Sequence, residues 1–210
     1  STITWFDAVT FGNNTFVGVG YEGIIVRSTD NGSSFYKVTS PTTGYLTGVT
    51  FGNNTFVAIT SGSWTSLRST DNGSSWEIVN LYDTSGCQCH AIVFGNNTFV
   101  AVGWSGRIIR STDNGLSWED VTYPKTKNHR AVAFGNNTFV AVGDDGNIVR
   151  STDNGATWDN ATSPTTSGLR AVTFGNNTFM AVGDGIFRST DNGSSFDNVT
   201  SLTYIYLNGI

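Results

Sequence analysis

Residues 134–158 read FGNNTFVAVGDDGNIVRSTDNGATW and contain the two motifs that decide the fold. Short runs of Val, Ile, Phe and Thr are separated by Gly, Asn and Asp, which tolerate the left-handed backbone of tight turns. Such runs are typical of short antiparallel strands joined by hairpins. Together with the residues on either side, this segment predicts four consecutive strands.

Both motifs recur along the chain at nearly constant spacing. FGNNTF starts at Phe11, Phe51, Phe94, Phe134 and Phe174, so successive copies lie 40, 43, 40 and 40 residues apart. A period of about 40 residues with four strands per unit is typical of a β-propeller blade. We therefore predict a single all-β domain over residues 1–210, a five-bladed β-propeller whose four-stranded antiparallel blades span residues 4–40, 44–81, 88–123, 128–163 and 168–201.

The second motif, Ser-x-Asp-x-Gly-x-x-Trp/Phe, lies between the third and fourth strand of each unit. It resembles the Asp-box, or BNR, repeat of β-propellers in the sialidase-like superfamily of folds. In such a turn the carboxylate can accept backbone N–H groups, Gly supplies a positive φ, and the aromatic ring packs underneath. We expect a structural role for the five aspartates Asp30, Asp71, Asp113, Asp153 and Asp191.

Composition and charge exclude several partners. The net charge of −5 with only 11 Lys and Arg residues argues against nucleic acid, whose phosphates are bound by clustered cations. No run of apolar residues is long enough for membrane insertion. One carboxylate per turn is too few for calcium, so we predict no metal and no cofactor. The sequence starts at Ser1 without a signal peptide, which fits a processed or excised piece. The sequence leaves the localisation open, and we favour a secreted or cell-surface protein.

Antiparallel strand order assigns the loops of each blade to two opposite rims. The Asn-Asn and Ser-x-Asp-x-Gly turns share one rim and never change in length; we call it the invariant rim. The loops between second and third strands and the connections between blades share the other, which we call the diverse rim. All differences in length between units fall there. Drift of lightly packed loops is one explanation for this diversity, and a binding site is the other.

Two sets of diverse-rim residues are candidate ligand-binding residues. One set stands four residues before each FGNN Phe, near the start of the innermost strand, where polar side chains from all the blades can converge on the axis. The other set lies in the second-to-third loops and includes large aromatics, which are common in recognition surfaces. The first set is Asp7, Thr47, His90, Arg130 and Arg170, and the second is Tyr21, Glu22, Trp64, Trp104, Asp144, Asp145 and Asp184.

Catalysis is not predicted. The resemblance to sialidases implies an arginine triad, a Tyr nucleophile and an acidic general acid. However, Arg27, Arg68, Arg110, Arg150 and Arg188 precede the aspartate turns in five different blades and cannot meet on one ligand. We expect them to form hydrogen bonds between blades. Asp144 and Asp145 are adjacent on a short loop, where solvated carboxylates are ordinary, so we predict no catalytic residues.

The only cysteines, Cys87 and Cys89, precede His90 in the longest connection between blades. A zinc site, a disulfide and a pair of ordinary thiols are the alternatives. One intervening residue is short for a zinc finger, and a Cys-x-Cys disulfide is geometrically demanding. We expect ordinary thiols.

Residues 202–210 form an additional segment that resembles the start of a blade. Tyr-Ile-Tyr-Leu-Asn-Gly-Ile at 204–210 is similar to residues 45–49, the first strand of the second unit. The segment could close the ring, compete with residues 5–10 for one position, mediate self-association with another chain, or belong to a longer array of the same units. These four alternatives remain open from the sequence.

The combined pattern predicts a non-catalytic binding module that acts through the diverse rim. A glycan is the favoured ligand, because aromatic rings pack on the apolar face of a pyranose while Asp, Glu, Arg and His orient its hydroxyls. A protein-interaction scaffold is the alternative, as in the assembly-factor and peptide-receptor branches that the resemblance implies. A glycoside hydrolase, and a recently duplicated or designed repeat protein without a dedicated ligand, complete the hypotheses.

Overall fold

The computed structural model describes residues 5–81, 87–121, 127–199 and 209. In these ranges the chain forms five sheets, each of four antiparallel strands that are neighbours in sequence order. The predicted all-β propeller of five four-stranded blades is therefore confirmed. The same ranges contain no helix long and apolar enough to span a bilayer.

The strands are numbered β1 to β20 in chain order, four to each blade. Their bounds are Phe6–Gly12, Thr15–Gly20, Ile25–Ser28 and Tyr36–Val38 in blade 1; Tyr45–Gly52, Thr55–Ser61, Thr65–Ser69 and Glu77–Asn80 in blade 2; Cys89–Gly95, Thr98–Gly103, Ile108–Ser111 and Glu119–Asp120 in blade 3; His129–Gly135, Thr138–Gly143, Ile148–Ser151 and Asp159–Asn160 in blade 4; and Leu169–Gly175, Thr178–Gly183, Gly185–Ser189 and Asp197–Asn198 in blade 5.

Each blade begins with a tight hairpin at its FGNN motif. In blade 4, Gly135 pairs with Thr138, and the two intervening residues, Asn136 and Asn137, have φ values of 47° and 55°. Two successive residues with positive φ form the hairpin turn that matches the twist of the strands, and Asn adopts this conformation readily. The Asn-Asn pair therefore sets the register of the first two strands.

The Ser-x-Asp-x-Gly turns close the third and fourth strands by internal hydrogen bonds. Asp113 accepts hydrogen bonds from Ser111 Oγ at 2.8 Å and from the backbone and hydroxyl of Ser117 at 2.9 and 2.6 Å. Gly115 has a φ of 78° and donates its N–H to Ser111 Oγ at 2.9 Å. The aspartate thus organises its own turn, in agreement with the structural role expected.

Successive blades pack through apolar cores, of which four are present in the described residues, one at each junction from blade 1 to blade 5. The third-strand arginines add polar links across these junctions. Arg27 Nε donates to the carbonyl of Asn72 at 2.7 Å, and Arg68 Nε donates to the carbonyl of Asn114 at 2.8 Å. The hydrogen bonds expected between blades are confirmed for Arg27, Arg68, Arg110 and Arg150.

The described residues leave the junction between blade 5 and blade 1 open. A Cβ atom added to Gly175 would meet no heavy atom within 4 Å, although the equivalent glycines of the other blades lie against a phenylalanine ring. Among the described residues, blades 5 and 1 therefore lack the contact that joins each of the other pairs of neighbouring blades. Of the segment 202–210, all but Gly209 lies outside the described residues.

Candidate functional site on the diverse rim

The two rims are separated as the strand order predicts. On the invariant rim, Asn72 of one aspartate turn donates its side-chain amide to Thr15 Oγ1 in the preceding hairpin at 2.7 Å. On the diverse rim, the backbone N–H of Trp104 donates to the carbonyl of Gln88 in the preceding connection at 3.2 Å. Second-to-third loops therefore contact the inter-blade connections, away from the aspartate turns.

An axial pocket of about 400 Å³ opens on the diverse rim. It receives a residue from the innermost strand of every blade, so the convergence expected from the sequence is present. Tyr45 and Ser61 also line it. The complete lining is Asp7, Tyr45, Thr47, Ser61, His90, Arg130 and Arg170.

A shared backbone irregularity places these inner-strand residues. In each blade the pairing between first and second strands shifts at one residue, which is left without a direct partner on the neighbouring strand. Such β-bulges often re-aim a side chain next to a functional site. The residues at the shifts are Asp7, Thr47, His90, Arg130 and Arg170.

One wall of the axial pocket is a carboxylate–phenol pair. Tyr45 Oη donates to Asp7 Oδ1 at 2.5 Å, and this hydrogen bond raises the pKa of Tyr45 to about 12. The Tyr45 ring also packs edge-on against Tyr21, with ring centroids 6.0 Å apart. Tyr21 of the loop is thus coupled to the pocket wall through Tyr45.

Another part of the pocket lining is cationic. Arg130 Nε donates to Asp144 Oδ1 at 2.5 Å, and Asn128 Nδ2 donates to Asp144 Oδ2 at 2.8 Å. Partial burial acts to raise the pKa of Asp144, but these hydrogen bonds outweigh it and hold the pKa below its ordinary value. Asp144 is therefore ionised at neutral pH and orients Arg130 at the pocket mouth. Arg170 lines the same pocket.

His90 joins the axial pocket to a second depression. Its ring lies 5.4 Å from the ring of Trp104, and burial lowers its pKa, with a further contribution from the Arg130 charge. It is therefore mainly neutral at pH 7, so it can both donate and accept hydrogen bonds. Nearby, Thr47 Oγ1 donates to the carbonyl of Cys89 at 2.8 Å, which ties blade 2 to blade 3 at the pocket floor.

The second depression is a cleft of about 260 Å³ between Trp64 and Trp104, which we call the tryptophan cleft. The two side chains are 50% and 47% exposed. Polar groups lie between them, including Ser63, Gln88 and Arg107. The cleft therefore combines two aromatic surfaces with hydrogen-bonding groups.

Some predicted residues lie on the rim without lining either depression. Glu22, Asp145 and Asp184 are exposed, and Asp145 forms an ion pair with Lys127. Tyr45, Ser61 and Asn128 were not among the site residues predicted from the sequence. Tyr45 was detectable as a large aromatic in a variable connection, whereas the contributions of Ser61 and Asn128 depend on their neighbours in space.

The two cysteines form a disulfide, so the expectation of ordinary thiols is wrong. The Cα atoms of Cys87 and Cys89 are 4.9 Å apart, within the range that a disulfide spans. Both residues are buried in the junction between blades 2 and 3. The described residues contain no group of three His, Cys, Asp or Glu side chains that could hold a metal ion.

Solved structures with similar folds include both binding proteins and enzymes. A structure titled "YCF48 bound to D1 peptide" has a TM-score of 0.71 and 18% identity over 93% of this chain and 68% of that chain. A GH74 enzyme of Niastella koreensis has a TM-score of 0.67 and 23% identity, over 96% of this chain and 32% of that chain. The GH74 xyloglucanase of Xanthomonas campestris has a TM-score of 0.72 and 15% identity, over 93% and 38%. At these identities the likeness concerns the fold.

Sequence comparison identifies the family. No curated protein matches this chain in sequence. The model of the DUF6242 beta propeller domain matches residues 34–169, which is more than half of the chain and runs from the end of the first blade to the start of the fifth. The chain belongs to the DUF6242 β-propeller domain family.

Proposed function

We propose that this chain is a non-catalytic binding module that takes a carbohydrate on its diverse rim. The observation that carries the proposal is the tryptophan cleft, in which Trp64 and Trp104 from different blades stand half exposed on either side of polar groups. Sugars are bound by aromatic faces that cover their apolar side and by a few placed hydrogen-bonding groups.

The axial pocket extends this surface. Because His90 contacts Trp104 and also lines the axial pocket, a ligand longer than one sugar can pass from the cleft towards Thr47 and Arg130. GH74 enzymes, one of them a xyloglucanase, share the fold and so make a glycan a reasonable ligand class. The aspartate turns favour membership of the Asp-box group of propellers, which includes sialidases and other glycoside hydrolases.

The carboxylates of the rim favour binding over hydrolysis. A general acid in a glycosidase keeps its proton at neutral pH because its pKa is raised. Asp144 has a lowered pKa and is held by Arg130 and Asn128, and Asp7 accepts the hydrogen bond of Tyr45. Turnover of a panel of chromogenic glycosides by the purified chain would overturn the non-catalytic assignment.

A glycan array followed by calorimetry tests the ligand class. We expect binding to a subset of polysaccharides or oligosaccharides, and a loss of at least about tenfold in affinity for Trp104→Ala, because hot-spot aromatics carry most of the binding energy. Leu116→Ala is the matched control, since Leu116 is an exposed apolar residue on the invariant rim. No binding to any glycan, or an equal loss in the control variant, would contradict the proposal.

A second candidate is binding of a protein or peptide in the axial pocket. The specific observation is the cationic wall formed by Arg130 and Arg170, and YCF48 with its bound D1 peptide shows that this fold accommodates a peptide. A pull-down read by mass spectrometry should then lose its partner when Arg130 and Arg170 are both changed to Glu. Lys37→Glu is the control, because Lys37 is exposed on the outermost strand of blade 1 and lies outside the pocket.

A further inference from the structure

The four closed junctions share one construction. At each of them the phenylalanine of one FGNN motif lies flat on the glycine of the preceding motif, so closely that a Cβ at the glycine would fall about 2 Å from the ring. Only glycine permits this approach. The pairs are Phe51 on Gly12, Phe94 on Gly52, Phe134 on Gly95, and Phe174 on Gly135.

Two further contacts accompany each ring. The third-strand arginine donates to the carbonyl of the Asn in the next aspartate turn, as Arg150 Nη1 does to Asn192 at 3.2 Å. A second-strand valine packs against the glycine of that same turn, as Val140 does against Gly193. One face of each blade therefore supplies Gly, Arg and Val, and the facing blade supplies Phe, Asn and Gly.

Blade 5 presents the first of these faces without a partner among the described residues. Gly175 is exposed and has no heavy atom within 4 Å of an added Cβ. Arg188 is exposed, whereas its four counterparts are half-buried, and Met180 replaces the buried valine of blades 1 to 4. The glycine and the arginine are thus exposed, and the apolar second-strand residue is less buried than its four counterparts.

Blade 1 presents the complementary face, also uncovered. Phe11 is 51% exposed and Val9 is 67% exposed, whereas Val49 at the equivalent position of blade 2 is 7% exposed. Phe35, which follows the first aspartate turn, is exposed although Trp76, Trp118, Trp158 and Phe196 are buried at the same place. Apolar side chains concentrated on one face mark an interaction surface.

The sequence after β20 has the residue types and the spacing of another first strand. Leu207-Asn208-Gly209-Ile210 begins nine residues after Asn198, just as Leu169-Arg170-Ala171-Val172 begins nine residues after Asn160. It also matches Leu46-Thr47-Gly48-Val49 residue by residue in type. Leu46 and Leu169 are fully buried in the junctions that precede their blades.

We propose that the open faces of blade 5 and blade 1 are a docking site for further four-stranded units of this same repeat, the first of which begins with Leu207–Ile210. Such a unit offers both sets of groups that the faces require: a phenylalanine and an Asn carbonyl for Gly175 and Arg188, and a glycine and an arginine for Phe11 and Asn31. An unrelated apolar partner would cover the two faces without supplying the groups that contact Gly175 and Arg188 on one face and Phe11 and Asn31 on the other.

Chains extended by one and by two units test the proposal. The first extension joins the sequence of residues 173–199 to Ile210, which completes a sixth unit, and the second adds the sequence of residues 162–199 after it. We expect hydrogen exchange of the peptides containing Gly175–Met180 and Phe6–Phe11 to slow by at least about tenfold in one of the two chains, because packed junctions open less often. The melting temperature should rise in parallel.

The matched control carries Phe174→Asp in the appended copy closest to Gly175, which has the same length but cannot fill the glycine socket. The proposal would be overturned if hydrogen exchange were unchanged in both extended chains, or if neither extended chain protected both faces. Equal protection in the control would also overturn it. A 210-residue chain that dimerises in light scattering and becomes monomeric on Phe11→Asp would also overturn it, since the occupant would then be a second copy.

Discussion

The invariant and diverse rims use the same residue type for opposite purposes. Trp158 follows an aspartate turn, is 4% exposed, and donates its indole N–H to the carbonyl of Gly155 at 3.1 Å. Trp104 stands on a second-to-third loop, is 47% exposed, and lines the tryptophan cleft. Burial and a satisfied indole N–H make Trp158 part of the core, whereas nothing in the packing of blade 3 requires an indole at Trp104.

This difference explains where the repeats diverge. On the invariant rim each turn hydrogen-bonds to itself, and the turns of blades 2 to 5 also hydrogen-bond to the preceding blade, so a change in one of these turns disturbs two units. On the diverse rim the short loops after the second strands contact mainly a connection, and blades 1, 3 and 4 keep one backbone form with different side chains, at Tyr21–Gly23, Trp104–Gly106 and Asp144–Gly146. Side chains can therefore vary for recognition without cost to the fold.

The largest expected effect separates the two rims directly. Trp158→Ala should lower the free energy of unfolding by about 3–5 kcal/mol, because it leaves a cavity in the core between blades 3 and 4. Trp104→Ala should change it by no more than about 0.5 kcal/mol, as is usual for a surface substitution. Urea unfolding followed by circular dichroism measures both variants. Similar losses in the two would break the distinction between the rims.

His129 is buried beneath the diverse rim, and we expect it to make the free energy of unfolding depend on pH. Burial lowers the pKa of His129 to about 4, from an ordinary value of about 6.5. Between these pH values the unfolded chain takes up a proton that the folded chain does not. The free energy of unfolding should therefore fall as the pH falls from 6.5 to 4, by up to roughly 3 kcal/mol.

His129→Leu should remove the larger part of this pH dependence and leave the contribution of His90, whose pKa is also lowered by burial. Leucine fits the site because Leu46 and Leu169 occupy the same position in blades 2 and 5. The measurement is urea unfolding of both proteins at several pH values between 7 and 4. A slope that persists unchanged in the variant would show that other groups cause it.

Asp153, on the invariant rim, should contribute a smaller amount to the free energy of unfolding. Partial burial acts to raise its pKa, but hydrogen bonds from Thr157 and Ser151 lower the pKa to about 2. The stabilisation should be complete above the ordinary pKa of about 4 and should be lost as the pH falls towards 2. Asp153→Ala should cost about 1–3 kcal/mol at pH 7, since it leaves the turn donors without an acceptor.

The control for Asp153 is Asp184→Ala on the diverse rim, which should change the free energy of unfolding by no more than about 0.5 kcal/mol, because Asp184 is exposed and has no positive φ. Thermal melts of both variants at pH 7 and pH 3 provide the comparison. The difference between Asp153→Ala and the parent protein should shrink at pH 3, because the parent carboxylate starts to be protonated there.

The sequence predicted the blades and the convergence of the inner strands because both follow from a repeated local code. Asn-Asn and Asp-x-Gly fix the hairpins, and strand parity then sends Asp7, His90 and Arg130 to one end. The β-bulge that holds each of these residues was not predictable, since the first strands have no regular alternation of apolar and polar residues in which one extra residue would stand out.

The open junction and the disulfide were not predictable for a different reason. Identical units define how one blade docks on the next, but the number of units that completes a circle depends on small angles accumulated over every junction. The disulfide depends on the backbone of residues 87–89, which is held by Trp104 and Thr47 from other elements. Neither interaction is visible in the spacing of two cysteines.

The smallest expected effect concerns the ion pair between Lys127 and Asp145 on the diverse rim. Both side chains are exposed, so solvent and salt screen their attraction, and exposed pairs contribute about 0–1 kcal/mol. Lys127→Ala should therefore change the free energy of unfolding by no more than about 0.5 kcal/mol, and less in 1 M salt. By comparison, Arg68→Ala should cost more, because Arg68 links two blades through the carbonyl of Asn114. If Lys127→Ala destabilised the protein as much as Arg68→Ala, the diverse rim would be contributing to folding as the invariant rim does.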